Sequence, residues 1–212
     1  MNRVSELALL FAATACAAAD GHRELSWTLA EETQLAAFDC TDRAAFRCAG
    51  GALELFTAAK YTPPHRSPLG LAILRDLEFG DCELAVEAQQ TGREYPHRDL
   101  VIVFAWRDAA HFAYAHLASA ADPNAHQIML VDGADRRPVT VRRSKGVSWG
   151  EGWHEILLVR RGTEVRVLFD GNEVLAGEVS ALRGRIGLGS FDDTGRFRNL
   201  RVAPLPPAHG TV

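Results

Sequence analysis

The run of residues 100–106 limits the fold of this chain more than any other stretch. Every side chain in it is apolar, from Leu100 to Trp106. Because side chains alternate along a strand, both faces of this strand would be apolar, with Trp106 on the side of Ile102 and Phe104. A strand of that kind belongs in the centre of a sheet that is covered on both sides.

Residues 107–110 turn the chain, and residues 111–117 form the second strand of a predicted hairpin. Alternation places Phe112, Tyr114 and His116 on one face of this strand. A phenyl ring, a phenol and an imidazole in a row are typical of a partly hydrated wall and unusual in a plain core. We therefore interpret the hairpin as the floor of a binding groove.

After residue 45 the chain shows about a dozen short strand patterns, separated by turn signals at intervals of roughly ten residues. Residues 82–89 alternate most clearly, with Leu84, Val86 and Ala88 on the inward side. No segment after residue 45 has a clear helical period. This pattern predicts an all-β fold, a two-sheet antiparallel jelly-roll sandwich in a single domain.

The sandwich domain is predicted to span residues 45–203. Residues 20–44 form an N-terminal segment ahead of it, in which residues 27–37 make either a short helix or an irregular stretch. Residues 204–212 are rich in proline and are predicted to be a flexible tail.

Residues 1–19 have the pattern of a signal peptide. Arg3 supplies a positive charge, residues 7–15 are apolar, and small residues at 17–19 resemble a cleavage site. A second interpretation makes Cys16 the acylated residue of a lipoprotein signal. The apolar run is too short to span a bilayer. We therefore expect an exported, periplasmic or extracellular protein without a transmembrane span, lipid-anchored only if Cys16 is acylated.

The charge balance argues against polyanionic partners. The formal net charge is -4 and the isoelectric point about 6.1, and most basic residues are scattered along the chain. Arg136 and Arg137 are interpreted as solvated strand ends. We therefore expect no binding to nucleic acid.

If the protein is exported, its cysteines enter an oxidising compartment, where disulfides can form. Cys40 and Cys48 flank a short loop, and an oxidising compartment would allow a disulfide between them. Cys82 would then be a free, buried thiol.

Four segments in the C-terminal half resemble a known superfamily: WHE at residues 153–155, VLFDG at 167–171, GRIGL at 184–188 and FRNLRV at 197–202. They are similar to the concanavalin A-like lectin/glucanase superfamily. More narrowly, they look like the laminin G-like domains of the 3-keto-disaccharide hydrolase type found in exported bacterial proteins. The resemblance covers about residues 45–203 and implies a β-sandwich that acts on or binds carbohydrate. This fold hosts hydrolases, lyases and simple lectins.

His97, Arg98 and Asp99 form the first candidate site. Histidine transfers protons near neutral pH, and arginine can hold an anionic sugar group or a developing oxyanion. These are the groups needed to remove a proton next to a carbonyl group. The alternative is an Arg98–Asp99 ion pair that fixes the start of the strand, with His97 on the surface.

His116 with Tyr114 forms the second candidate site, either as a sugar-binding wall or as a satisfied histidine between the sheets. The residues predicted to be catalytic are His97, Arg98, Tyr114 and His116. Those predicted to bind substrate are His65, Arg66, His126 and Trp149. Trp149 is the best candidate for an exposed ring that stacks on a sugar, because its loop is flanked by glycine.

Asp192 and Asp193 offer oxygen ligands in a tight turn, which suits a structural calcium ion. The alternative is a plain hairpin turn, in which Asp and Gly are present only because their side chains suit the turn conformation. A catalytic divalent metal held by two of the histidines is a further option, although no ligand spacing requires it.

The leading hypothesis is an exported carbohydrate-processing enzyme. It would cleave a modified glycoside, either 3-keto or acidic, by proton abstraction in a concave groove. The alternatives are a non-catalytic, lectin-like module that binds glycans and a structural envelope protein.

Overall fold

The structure is a computed structural model that describes residues 23–180 and 183–206. The first half contains β1 (Leu25–Trp27), α1 (Glu32–Leu35), β2 (Phe38–Cys40), a 3₁₀ turn (Arg43–Ala45), β3 (Phe46–Ala49), β4 (Ala52–Leu55), β5 (Gly70–Leu74), β6 (Cys82–Gln90), β7 (Asp99–Asp108) and β8 (His111–Ala118). The second half contains β9 (Gln127–Asp132), β10 (Arg137–Pro138), β11 (Thr140–Arg143), β12 (His154–Arg161), β13 (Glu164–Phe169), β14 (Asn172–Glu178), β15 (Arg185–Ser190) and β16 (Gly195–Pro204).

These strands form two sheets. The nine-stranded sheet has the order β11-β14-β13-β12-β6-β16-β4-β3, with β1 paired to β16, and the seven-stranded sheet has the order β10-β9-β8-β7-β15-β5-β2. All the strand pairings among the described residues are antiparallel. The predicted all-β, two-sheet antiparallel sandwich is confirmed.

The sandwich begins earlier in the chain than residue 45. Strand β1 pairs with β16 in the nine-stranded sheet, and β2 pairs with β5 in the seven-stranded sheet. Within residues 27–37, where a short helix was one of two alternatives, the structure has only the four-residue helix α1, which buries Leu35. The segment ahead of residue 45 therefore supplies strands to both sheets.

The main core lies between the two sheets. Strand β7 contributes Leu100, Ile102 and Phe104, and β6 contributes Leu84 and Val86, all fully or almost fully buried. Removing each such side chain from water stabilises the fold by roughly 1.5–3 kcal/mol. Strand β7 is buried on both faces from Asp99 to Trp106, as its unbroken apolar run predicts.

Trp106 departs from the predicted alternation. Ala105 has a φ of 55°, and the β7–β8 register shifts between Phe104 and Asp108. A bulge of this kind turns the following side chain to the other face. Trp106 therefore packs on Phe112, with ring centroids 4.7 Å apart, and not beside Phe104.

A second apolar cluster lies on the outer face of the seven-stranded sheet. Its members are Leu71, Ile73, Val101, Val103, Trp106, Phe112, Tyr114, Met129 and Val131. An aromatic row follows β8 across this face: the ring centroids of Phe112 and Tyr114 are 5.9 Å apart, and those of Tyr114 and His116 are 6.1 Å apart. The row brings His116 to the end of the sheet, where the β7–β8 hairpin meets several loops.

The disulfide that the sequence allows between Cys40 and Cys48 is not present in the structure. Cys40, Cys48 and Cys82 are all free thiols. Cys40 lies in the seven-stranded sheet and Cys48 in the nine-stranded sheet, and facing sheets lie about 10 Å apart. A disulfide needs Cα atoms within roughly 7 Å. Burial raises the pKa of Cys40 and of Cys82 to about 11.

Some of the predictions concern residues that are not described. Residues 1–19, with Cys16, lie outside the described range, as do residues 207–212 of the predicted tail. Among the helices that are described, none has the length and apolar character to cross a bilayer.

Candidate functional site

A pocket of about 160 Å³ opens where β7 begins and β8 ends. Its lining comes from distant parts of the chain: Arg66, Tyr95, His97, Asp99, His116, Asn124, Arg136, Phe191 and Asp192. The lining residues lie in the loop before β5, at the start of β7, at the end of β8 and in the loops after β8, β9 and β15. Only the folded sandwich brings these groups together.

Asp99 and His116 form the base of the pocket. Their side chains are 2% and 4% exposed, and His116 Nε2 lies 3.1 Å from Asp99 Oδ2. The other oxygen of Asp99 accepts hydrogen bonds from Ser190 Oγ at 2.9 Å and from the Phe191 amide at 3.0 Å. Asp99 is thus a buried carboxylate held by the β15–β16 turn.

The tautomer of His116 follows from its second contact. Nδ1 lies 3.1 Å from the carbonyl oxygen of Asn124, which can only accept, so Nδ1 carries a hydrogen and donates it. Nε2 is buried and has no hydrogen bond, because its approach to Asp99 lacks the required angle. A protonated His116 would place its positive charge against the Asp99 carboxylate at this distance.

Asp193 lies behind Asp99 in the same network. Its Oδ2 accepts from the Tyr95 hydroxyl at 2.9 Å and from the Asp99 amide at 2.9 Å. Burial raises the pKa of Asp193 and of Asp192, and the charge of Asp99 adds to the effect. One oxygen from each of Asp99, Asp192 and Asp193 lies within 4.8 Å of the others.

Two arginines, Arg66 and Arg136, also line the pocket. Arg136 Nη1 donates to the Tyr114 hydroxyl at 3.1 Å, and its guanidinium lies 4.2 Å from the Phe191 ring centroid. The Arg66 backbone is fixed by Asp135, whose Oδ1 accepts from the Arg66 amide at 2.9 Å. Neither guanidinium forms a salt bridge to a carboxylate within the described residues.

His97 stands at the rim of the pocket. Its side chain is 52% exposed, and Nε2 lies 2.6 Å from Asp122 Oδ2. The carboxylate of Asp122 also accepts from the amides of Asn124 and Ala125, which hold it in place. His97 is therefore an oriented imidazole with an open approach.

The pocket brings together four of the predicted residues, His97, His116, Arg66 and Asp192, but not Arg98. The Arg98 guanidinium is buried, donating to Gln90 and pairing with Glu94. The ion pair at the start of β7 is therefore made with Glu94 and not with Asp99. Successive side chains point to opposite sides of an extended chain, which accounts for the separation of Arg98 from Asp99.

Tyr114 and His65 do not line the pocket. Tyr114 is fully buried beneath it, and burial raises the pKa of its hydroxyl to about 12. It reaches the pocket only through its contact with Arg136. His65 is half-buried in the loop before β5, where its carbonyl accepts from Ser67 Oγ.

His126 and Trp149 are buried elsewhere. His126 Nε2 lies 2.9 Å from Ser144 Oγ, and burial lowers its pKa to about 4. The expectation of an exposed Trp149 is wrong: its side chain is 1% exposed and packs edge-on against Phe169, with centroids 5.1 Å apart. The flanking glycines shape its loop without exposing the ring.

Sequence reasoning missed Arg136 and Phe191 as pocket residues. Arg136 was expected to be a solvated strand end, and nothing in its neighbourhood in the sequence indicates otherwise. The stacked rings of His116 and Phe191, with centroids 6.1 Å apart, join strands that are distant in the chain. Only the pairing of β15 with β7 reveals this contact.

No protein-family model matches this sequence. No curated protein sequence matches it either. Similar solved structures do exist, however, and they identify the architecture.

The carbohydrate binding module CBM66 from Bacillus subtilis is 11% identical, with a TM-score of 0.58 over 78% of this chain and 94% of that one. A protein of unknown function with a galectin-like fold, also from Bacillus subtilis, is 10% identical, with a TM-score of 0.57 over 88% and 100%. The fold is a lectin-like β-sandwich. The GH43 protein BlXynB from Bacillus licheniformis is 10% identical, with a TM-score of 0.56 over 85% of this chain but only 39% of its own. Identities this low establish the fold alone.

Proposed function

We propose that this chain binds the end group of an acidic glycan in the pocket between His116 and Arg136. The similar structures include a carbohydrate binding module and a GH43 protein, which favours a carbohydrate ligand. The sugar class is inferred from the side chains of the pocket itself.

The main support for an acidic sugar comes from Arg66 and Arg136, which both line the pocket. Neither guanidinium group has a carboxylate partner among the described residues. A guanidinium binds a carboxylate through two parallel hydrogen bonds, and such charge-assisted bonds contribute about 1.5–3 kcal/mol each. A uronic acid or another anionic sugar supplies the missing partner. A neutral sugar would leave both guanidinium groups without a directly paired carboxylate.

The size of the pocket limits how much of a glycan it admits. Its volume of about 160 Å³ is below the range of roughly 300–1,000 Å³ that is usual for drug-sized ligands. One sugar unit at the end of a chain therefore fits better than an internal segment. Asn124, Asp192 and the Tyr95 hydroxyl are placed to contact its hydroxyl groups.

A second candidate function is cleavage of an acidic or 3-keto glycoside, and the His97–Asp122 pair favours it. A histidine whose Nε2 is held at 2.6 Å by a carboxylate keeps Nδ1 available as a base. In a uronic acid, His97 would take the proton next to the carboxylate, a double bond would form, and the bond to the leaving oxygen would break, with water returning the proton to that oxygen. His116 is less suited to this role because its Nε2 is buried beside Asp99.

The binding test compares uronic-acid-terminated and neutral oligosaccharides by isothermal titration calorimetry. Arg136→Ala and Arg66→Ala should each weaken binding of the acidic sugar at least tenfold. Arg107→Ala, an exposed arginine at the other end of the β7–β8 hairpin, should leave it unchanged. Equal affinity for acidic and neutral sugars would rule out the proposed specificity.

The same titrated mixtures distinguish binding from cleavage. If the chain is an enzyme, prolonged incubation yields an unsaturated or shortened product, and His97→Ala abolishes that product while retaining affinity. If it is a binding module, no product accumulates with either protein. Chromatography of the mixture with absorbance detection of the double bond reads both outcomes.

Export is a separate proposal that depends on residues 1–19 alone. Expression of the full chain with its N-terminus intact should yield a processed protein outside the cytoplasm. N-terminal sequencing would find the new end after residue 19. In the lipoprotein alternative, mass spectrometry would find an acylated Cys16 at the N-terminus.

A further inference from the structure

We propose that residues 136–145 form a basic edge that binds the rest of an anionic glycan, a polyuronate chain whose end group occupies the pocket. Binding at the basic edge rests on the proposed function, because the same ligand is extended from its end sugar to the units that follow. The support comes from where unpaired positive charge lies on the sandwich.

The basic edge concentrates charge of one sign. Residues 136–145 contain five basic residues and no acidic residue, although the whole chain has a formal net charge of -4. The five are Arg136, Arg137, Arg142, Arg143 and Lys145, and all except Arg136 are exposed. Such a concentration produces a local positive potential that the net charge of the protein does not reveal.

The segment crosses from one sheet to the other. Strand β10 lies at one end of the seven-stranded sheet, and β11 lies at one end of the nine-stranded sheet. Between them, the Val139 amide donates to the Ile128 carbonyl in β9, and the Val139 carbonyl accepts from the Glu178 amide in β14. A strand rises about 3.3 Å per residue, so the path from Arg137 to Lys145 is at most about 26 Å long. A path of that length accommodates several consecutive sugar units.

Both ends of the basic edge reach the pocket. At one end, Arg136 lines the pocket. At the other end, Arg143 Nη1 donates to the Asp122 carbonyl at 2.6 Å, and the Lys145 carbonyl accepts from the amide of the residue before Asp122 at 2.9 Å. The carboxylate of Asp122 holds the histidine at the rim of the pocket. A glycan chain that leaves the pocket over this rim therefore passes beside Arg143 and Lys145.

Most of the positive charge on the basic edge lacks a carboxylate partner. Four of its five cations, like Arg66 in the pocket, form no salt bridge within the part of the chain that the structure describes. The exception is Arg142, which pairs with Glu173 at 3.0 Å. The pocket and the basic edge thus present one continuous set of cations to an anionic ligand.

The opposite edge of the sandwich compensates its own charges. The strands β2 and β3 lie at that end of the two sheets, and the arginines around them, Arg43, Arg47 and Arg75, each form a salt bridge with an acidic side chain. Charged residues on an edge strand also prevent its pairing with another chain, which accounts for the arginines of β11. That role does not account for Arg136 and Lys145, which lie outside any strand.

A polyuronate matches this arrangement in both of its parts. It carries a carboxylate on every sugar, so its end group can pair with the guanidinium groups in the pocket while the following units meet the cations outside it. A nucleic-acid duplex also carries regular negative charge, but its phosphates lie along a wide helix. No unit at its end fits a pocket of about 160 Å³.

The test titrates the full chain by calorimetry with galacturonic and mannuronic acid, each as the monosaccharide and as the linear hexamer. We expect one hexamer to bind at least tenfold more tightly than its monosaccharide, and the advantage should shrink as added salt screens the exposed charges. Arg137→Ala/Lys145→Ala should bind the monosaccharide as the parent does and lose the advantage of the hexamer. Lys60→Ala/Arg201→Ala is the matched control and should keep it, because it removes the same two charges from exposed positions away from the basic edge.

The outcomes separate the basic edge from the proposed function. Equal affinity for monosaccharide and hexamer, or equal hexamer affinity in the two double variants, overturns the basic edge and leaves binding in the pocket intact. A hexamer that binds through the basic edge without any binding of the monosaccharide supports the edge and refutes the end-group pocket. Absence of binding to either form overturns both. A DNA duplex that displaces the hexamer at equal charge concentration would show a general polyanion surface and overturn the assignment to a glycan.

Discussion

The outer faces of the two sheets are built from different side chains. The seven-stranded sheet carries a buried aromatic row that ends in the pocket around His116. The nine-stranded sheet carries exposed charges that pair with one another, as in the contact of Glu87 with Arg198 at 2.6 Å. One outer face is thus a second core with a polar end, and the other is a solvated surface.

The larger cavity lies on the solvated face. It measures about 440 Å³ and includes Trp27, Glu87, Glu155 and Asn199. The carboxylate of Glu87 is already bonded, by Arg198 Nε at 2.8 Å and by Asn199 Nδ2 at 2.6 Å. In the smaller pocket, by contrast, two guanidinium groups lack carboxylate partners among the described residues. This difference is why the proposed ligand is placed in the smaller pocket.

Truncation of an aromatic side chain gives the largest expected difference between the two faces. Phe112→Ala, at a residue only 3% exposed, should lower the free energy of unfolding by about 3–5 kcal/mol. Leu157→Ala, at a half-exposed position on the nine-stranded sheet, should cost roughly a third of that because part of the side chain is already in water. Urea unfolding followed by fluorescence measures both. Equal losses would contradict the picture of one buried and one solvated outer face.

Acid gives the next largest effect, through His126. Its folded pKa of about 4 lies below the ordinary 6.5, because burial disfavours the charged ring. The unfolded chain therefore binds more protons between these values, and stability should fall as the pH drops from 6.5 towards 4, by up to about 3 kcal/mol. Thermal melts at successive pH values test this. His126→Gln should flatten the profile in that window, while His111→Gln, on the exposed hairpin end, should not.

Glu87 on the solvated face should respond to acid in a lower window. Its hydrogen bonds to Asn199 and Arg198 lower its pKa below the ordinary 4.5. The stabilisation is present above pH 4.5 and is lost as the pH falls through the lower folded value. Because Glu87 is partly exposed, solvent screening keeps the effect below about 1 kcal/mol. Glu87→Gln should leave stability between pH 5 and 7 within that amount of the parent. A much larger loss would show that the surface pairs contribute more than their exposure allows.

The smallest effect belongs to the ion pairs at the edge of the nine-stranded sheet. Glu173 contacts Arg142 at 3.0 Å and Arg166 at 2.7 Å, with all three side chains in contact with solvent. Glu173→Gln should cost no more than about 1 kcal/mol, and less at high salt. Denaturation at low and high ionic strength checks the prediction. A cost that does not change with salt would argue against a solvated pair.

The site could be predicted only in part, and the reason differs from residue to residue. His97 and His116 meet because antiparallel pairing of β7 and β8 places the start of one strand beside the end of the other, which a hairpin pattern implies. Arg98 precedes a residue of the pocket but points away from it. Arg136 joins the pocket through a loop after β9, and no local pattern shows that.

The fold shows the same division. The apolar run of β7 and the alternation of β6 predict strands and their buried faces directly. The bulge at Ala105 reverses the expected face of Trp106, because a residue in a left-handed conformation turns the next side chain to the other face. The strands β1 and β2 were missed because three-residue segments carry too little periodicity to be recognised.

The amino-acid sequence by itself determined the class of fold, the central hairpin and the presence of histidines near the open end of that hairpin. All three features depend on side-chain alternation and on turn residues, which act over short stretches of chain. The tertiary structure alone decided which charges meet. Asp99, His116, Arg66, Arg136 and Asp192 come from strands and loops separated by tens of residues, and their pairing depends on sheet order and on burial. Sheet order and burial at the pocket cannot be read from any short stretch of the sequence.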